Sequence, residues 1–161
     1  MYISDLWCRA YSIKTRICDD PNVEILGMTL RPFYSPREFG CILLFAVYVP
    51  PKGPGRAAQA ARTIADCVHE LQLQYPEAPA VVLGDLNQCF LDTVLPGFEQ
   101  YVQYTTRKNN ILDKCYVNIK NAYVARVGPP ISTSDHNVVC ITPVYKSKLK
   151  RGKPVKKVVR T

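Results

Sequence analysis

Between residues 41 and 83 the apolar positions change their spacing twice, and that change restricts the fold more than any other feature. Residues 41–49 form an unbroken apolar run of nine, closed by Pro50 and Pro51. Its length and its Ile, Leu, Phe and Val content predict a buried strand. From Arg56 the spacing becomes four and three: Ala57, Ala61, Ile64, Val68, Leu71 and Tyr75 fall on one face of a helix. Residues 76–79 end it, and Ala80-Val81-Val82-Leu83 begin a second strand. Strand, helix, strand in that order is a crossover unit, so this is an α/β chain with a helix laid over a sheet.

Other segments fit that frame. Residues 23–33 alternate loosely and read as a strand stopped by Pro32. Shorter strands are predicted near 101–106, 111–117, 122–127 and 138–145. A length of 161 residues makes one domain, and 47% hydrophobic with 21% charged residues is a globular composition. The longest apolar run is far short of the roughly 20 residues a spanning helix needs, so no membrane is expected as a partner. Residues 1–5 show no basic segment before an apolar one, so no secretory leader is expected and an intracellular setting is. Seven cysteines lie 10 to 26 residues apart with no close pair. An odd, scattered set argues against a disulfide framework and, with only two histidines, against structural zinc.

Polar residues placed at strand ends carry the chemistry. Gly84-Asp85-Leu86-Asn87 follows the strand 80–83, putting a carboxylate and a carboxamide two residues apart on one face. Such a pair can orient a water and hold a phosphate oxygen; the same residues also make an ordinary strand-end turn. Ser134-Asp135-His136 precedes the apolar residues 138–141 and offers a hard-metal ligand beside a general acid/base. It also reads as a capped loop with an exposed histidine. Asp113 interrupts a strand-like run, which is costly unless its carboxylate is paired or stands at the strand's exposed end. Orienting an imidazole would satisfy it. Tyr48, near the end of the run 41–49, is a candidate catalytic phenol, though by itself such a residue is more often a packed core tyrosine.

In the order Tyr48-Val49-Pro50, Gly84-Asp85-Leu86-Asn87, Leu112-Asp113, Ser134-Asp135-His136, these motifs resemble the endonuclease/exonuclease/phosphatase superfamily. The likeness is closer to the endonuclease domain of LINE-type (non-LTR) retrotransposons. It extends to residues 30–39, Tyr75-Pro76-Glu77-Ala78, Val94-Leu95-Pro96, Thr106-Arg107 and residues 154–161. The resemblance implies a four-layer α/β sandwich with mixed sheets flanked by helices, here incomplete, and hydrolysis of phosphodiester bonds with Mg2+ or Mn2+. It implies that Asp85 activates the attacking water and Asn87 positions it. It places His136 on the scissile phosphate, oriented by Asp113, with Tyr48 donating to a phosphate oxygen. Asp135 would be on the metal side and Ser134 would support the loop.

Glu24 and Glu38 fall in segments that match non-catalytic parts, so the family's metal-binding Glu and first Asn have no counterpart. The chain thus resembles the C-terminal portion of the domain. Weakened metal binding, low activity and an uncovered apolar surface prone to association are expected. DNA is the implied partner and the nucleus the implied place of work. The absent N-terminal half, or a reverse transcriptase downstream in a longer polypeptide, would be further partners. A non-catalytic nucleic-acid-binding remnant and a phosphatase of the same superfamily are the alternatives.

The charge divides sharply at residue 146. The chain carries 21 basic and 13 acidic residues, a formal net charge of +8. Residues 146–161 hold Lys146, Lys148, Lys150, Arg151, Lys153, Lys156, Lys157 and Arg160 and no acid, leaving 13 of each sign in residues 1–145. The domain is therefore placed at 1–145, followed by a basic linker or tail at 146–161 that is suited to salt-sensitive phosphate contacts.

Overall fold

A six-stranded mixed sheet, carrying one helix on one face and a two-stranded sheet on the other, is formed by residues 1–51 and 53–146, the part of the chain the computed structural model describes. In chain order the elements are β1 (Ala10–Ile17), β2 (Glu24–Arg31), β3 (Ile42–Tyr48), α1 (Pro54–Gln74), β4 (Ala80–Asp85), β5 (Glu99–Gln100), β6 (Asp113–Val117), β7 (Tyr123–Pro130) and β8 (Asn137–Pro143). The large sheet runs β1-β2-β3-β4-β6-β5, and β7 pairs with β8. This is the mixed α/β class the spacing predicts.

Strands β3 and β4 are parallel, and α1 makes the crossover that a parallel pair requires. The helix opens with Pro54 in its first turn, where a missing N–H costs nothing. Its buried stripe of Ala60, Ala61, Ile64, Ala65, Val68 and Leu71 meets Ile25, Leu43, Phe45, Val47 and Val82 of the sheet. Leu43, Phe45, Ile64 and Val68 are fully buried, each contributing about 1.5–3 kcal/mol of transfer free energy. On the opposite face Val81, Cys115 and Val117 pack with Ala125, Val139 and Ile141 of the small sheet.

The small sheet leaves part of that second face uncovered. A groove of about 600 Å³ runs between the sheets, lined among others by Trp7, Leu30, Tyr34, Leu44 and Tyr145. Strand β1 forms an edge of the large sheet and is almost wholly exposed.

Three segments differ from the sequence expectation. In sequence, Met1 to Cys8 resembles an internal strand of the retrotransposon domain, yet residues 1–9 contain a turn and no strand, with Cys8 buried against Met28 and Leu30. β1 was not expected, although Tyr11, Ile13 and Ile17 alternate with Ser12, Lys14 and Arg16. The strand expected at 101–106 is reduced to Glu99–Gln100, continued by one bond from the Tyr101 N–H to the Cys115 carbonyl. Beyond it Tyr101 turns its hydroxyl to the Ile119 carbonyl, and the chain leaves the sheet.

Candidate active site

The crossover topology gathers the polar residues at one edge. Because β3 and β4 are parallel, both deliver their last residues, Tyr48 and Asp85, to the same end of the sheet. β6 runs the other way, so its first residue, Asp113, arrives there too. Tyr48 pairs in register with Asp85, and Asp85 with Asp113. The three side chains share one rung on the face opposite α1, since side chains alternate along each strand. Gly84 makes the close approach possible: its φ is +147°, and a Cβ there would lie 1.8 Å from the Val47 carbonyl oxygen.

His136, just before β8, closes the arrangement. Its Nδ1 lies 2.8 Å from Asp113 Oδ2 with both side chains about three-quarters buried. With Nδ1–H donating to the carboxylate, Nε2 is the nitrogen left to meet a substrate. Ser134 Oγ accepts the His136 N–H at 3.1 Å, holding the loop. The Asp85 carboxyl is held above its usual value, first by burial and then by the neighbouring Asp113 charge. The N–H of Asn87 on Asp85 Oδ1, at 3.1 Å, acts in the opposite sense.

Asn87 and Asp135 take positions the motifs alone do not reveal. Asn87 is buried in a left-handed turn (φ 47°), and its Nδ2 donates to the Val49 carbonyl at 2.8 Å. That bond ties the turn after β4 to the end of β3. Asp135 faces Arg107: its Oδ2 accepts from the Arg107 Nε at 2.7 Å and pairs with a terminal guanidinium nitrogen at 2.5 Å. This pairing holds the Asp135 carboxyl below the usual carboxylate range.

Two further residues complete the site. Thr106 is fully buried, and its Oγ1 accepts the N–H groups of Leu112 and Asp113, each at 3.0 Å. Its carbonyl accepts the Asn137 N–H at 2.7 Å, so one residue anchors the backbone on both sides of the His136–Asp113 pair. Lys114 lies beneath the rung, 2% exposed, donating from Nζ to the Asn87 carbonyl and standing 4.7 Å above the Phe90 ring. Burial lowers its affinity for the proton, while the nearby Cys89, Asp85, Asp113 and Asp92 raise it. The position after Asp113 in an apolar run was the available signal for Lys114; the Thr106-Arg107 likeness was the signal for Thr106.

The carboxylates that could meet a divalent metal each have one oxygen engaged. Asp113 Oδ2 is spent on His136 and Asp135 Oδ2 on Arg107. Among the described residues no three His, Cys, Asp or Glu side chains gather to hold an ion. Of the basic tail only Lys146 is among the described residues; Lys148, Lys150, Arg151, Lys153, Lys156, Lys157 and Arg160 lie outside them.

No family model matches the sequence, and no curated protein matches it. Solved structures do. An endonuclease/exonuclease/phosphatase family protein from Bacteroides thetaiotaomicron superposes with a TM-score of 0.50 and 13% identity, over 74% of this chain and 54% of that one. The human Nocturnin catalytic domain, solved with a bound sulfate, gives 0.54 and 19% over 82% and 57%. A truncated Caenorhabditis elegans TDP2 gives 0.57 and 14% over 85% and 67%. The fold is that of the endonuclease/exonuclease/phosphatase proteins. Against the first two of these structures the endonuclease/exonuclease/phosphatase fold is represented over little more than half of their length. No described helix is long and apolar enough to cross a membrane.

Proposed function

We propose that this chain carries a phosphodiester-hydrolysing site of the DNA endonuclease type, related to LINE-type retrotransposon endonucleases and working slowly in this form. The observation that carries the reading is the rung Tyr48, Asp85, Asp113 with His136 seated on Asp113. Asp113 fixes the imidazole by accepting from Nδ1–H, so that Nε2, when it carries a proton, donates to the phosphate and stabilises the charge that develops on it. Asp85, with its raised proton affinity, takes the proton of the attacking water. The half-exposed phenol of Tyr48 donates to a phosphate oxygen. Asn87 shapes the turn in which the water sits.

Magnesium or manganese belongs to this proposal only as a loosely held ion. Asp135 is the carboxylate assigned to the metal side, and Arg107 is paired with it. The groups described above therefore do the positioning. DNA is the proposed substrate, with the basic residues from Lys146 onward adding phosphate contacts, and nuclear work beside a reverse transcriptase belongs to the same proposal.

Hydrolysis of bis(p-nitrophenyl) phosphate beside p-nitrophenyl phosphate tests the reaction class. The diester should be the better substrate, and Asp85→Asn and His136→Ala should each lose about 100-fold or more, the scale of an acid/base contribution. Faster turnover of the monoester would favour the phosphatase reading. No turnover of either, with salt-dependent DNA binding retained, would leave a binding remnant.

A further inference from the structure

Asp85 and Asp113 line a site proposed to receive an anion, with Asp135 one residue before His136, and a phosphodiester settles there only where a cation meets it. Lys114 does not serve: it is buried, and its ammonium is spent on the Asn87 carbonyl and the Phe90 face. No three-ligand metal cluster is present among the described residues. Arg107 stands differently. Its side chain is 40% exposed, and both of its bonds to Asp135 go to the same oxygen. A guanidinium has five N–H donors in a rigid fork, so one edge is fixed and the rest remain for a ligand.

The backbone under Arg107 is equally determined. Thr106 and Arg107 both donate their N–H to the Asn110 carbonyl, at 2.8 and 3.1 Å, closing a tight turn. Thr106 also anchors the backbone of Asp113 and Asn137. Asp135, which orients the guanidinium, immediately precedes His136. The cation is thus tied through short connections to both members of the His136–Asp113 pair.

We propose that Arg107 is the phosphate-binding residue of this site, its free guanidinium edge taking the non-bridging oxygens of the phosphodiester that His136 meets. Asp135 is then the residue that aims it. This inference rests on the phosphodiester reading of the site, and planar, bidentate recognition of phosphate is the task for which arginine is suited.

The test uses a thymidine dinucleotide, which carries a single phosphodiester, titrated into the full chain without divalent metal. The Arg107 Nε–H resonance should shift saturably. Arg107→Ala should weaken binding at least about fivefold, Arg107→Lys should restore part of it, and Lys108→Ala should change it less than twofold. The double variant Arg107→Ala/Asp135→Asn restores the local charge without restoring the fork, and should still bind weakly. Wild-type affinity in the double variant would overturn the inference, because Arg107 would then act only by neutralising Asp135. Unchanged affinity in Arg107→Ala would overturn it too, while leaving diester hydrolysis by the His136 site to stand on its own assay. Absence of dinucleotide binding by the wild-type chain would overturn the Arg107 inference, while diester hydrolysis is decided by its own assay.

Discussion

Asp85 and Asp113 share a rung and face the same solvent, yet their surroundings assign them different work. Asp113 is committed to an imidazole, whereas Asp85 bonds only the backbone N–H of Asn87 and has its proton affinity raised by burial. If the Asp85 carboxylate is the working form, activity falls as pH drops through its raised value. The acid limb of kcat/KM on the diester should therefore lie above the ordinary carboxylate value of 3.8, and a limb at or below that value would contradict the assignment. Lys114 carries the second residue-level prediction. A buried ammonium without a carboxylate in contact is costly, so Lys114→Met should leave stability within about 1 kcal/mol of wild type or raise it. The same substitution frees the Asn87 carbonyl and should slow diester turnover about tenfold. A loss of more than about 3 kcal/mol in urea unfolding would show that the ammonium stabilises the fold. Asp85, Asp113 and His136 were legible in the sequence because each interrupts or ends an apolar run, where a polar residue needs a reason. Lys114 also sits in that run, but its role was not legible, because the turn that follows β4 covers it and a single strand's alternation does not show what folds over it.

At the level of elements, the parallel pair β3–β4 decides where the chemistry gathers, and Gly84 decides whether that pair can form. Gly84→Ala would place a methyl 1.8 Å from the Val47 carbonyl oxygen at a positive φ, so strand and turn must separate. A loss of about 4 kcal/mol or more, or failure to fold, is expected in a denaturant titration. Near-wild-type stability would mean that the two strands lie further apart. The crossover was legible because its strands are continuous apolar runs and its helix shows a clean stripe. β1 was not: Tyr11, Ile13 and Ile17 alternate with Ser12, Lys14 and Arg16, but on an edge strand Tyr11 and Ile13 stay exposed, so the pattern marks no buried face. The expected strand at 101–106 shows the opposite fault. Its Tyr and Val content suits a strand, but Val102 is buried by packing on Cys115 and Val117, outside the ladder.

For the whole molecule, the buried thiols give a pH dependence whose sign is fixed. Burial pushes Cys89 up to about 11 and Cys115 up to about 12 from an ordinary value of 9, and Tyr101 up to about 12 from 10. Above pH 9 the unfolded chain releases these protons first, so stability present below pH 9 is lost as pH rises toward the folded values. Lys114 acts in the opposite sense, since its folded value is lowered, and offsets part of the loss. Urea midpoints should fall between pH 8 and pH 10.5, and Cys115→Ala should remove about 2 kcal/mol of that fall. An unchanged pH slope in the variant would contradict it. The likeness to solved structures reaches 74–85% of this chain, while the groove between the sheets shows apolar surface the described residues do not cover. That groove could not be located from the sequence, because it depends on how far the small sheet reaches across the large one. The central claim, that the rung with His136 cleaves phosphodiesters in DNA, is tested most directly by nicking of supercoiled plasmid in magnesium by the purified chain. Slow nicking that disappears in His136→Ala is the predicted result; nicking that persists undiminished in His136→Ala, or none by the wild-type chain, would contradict it.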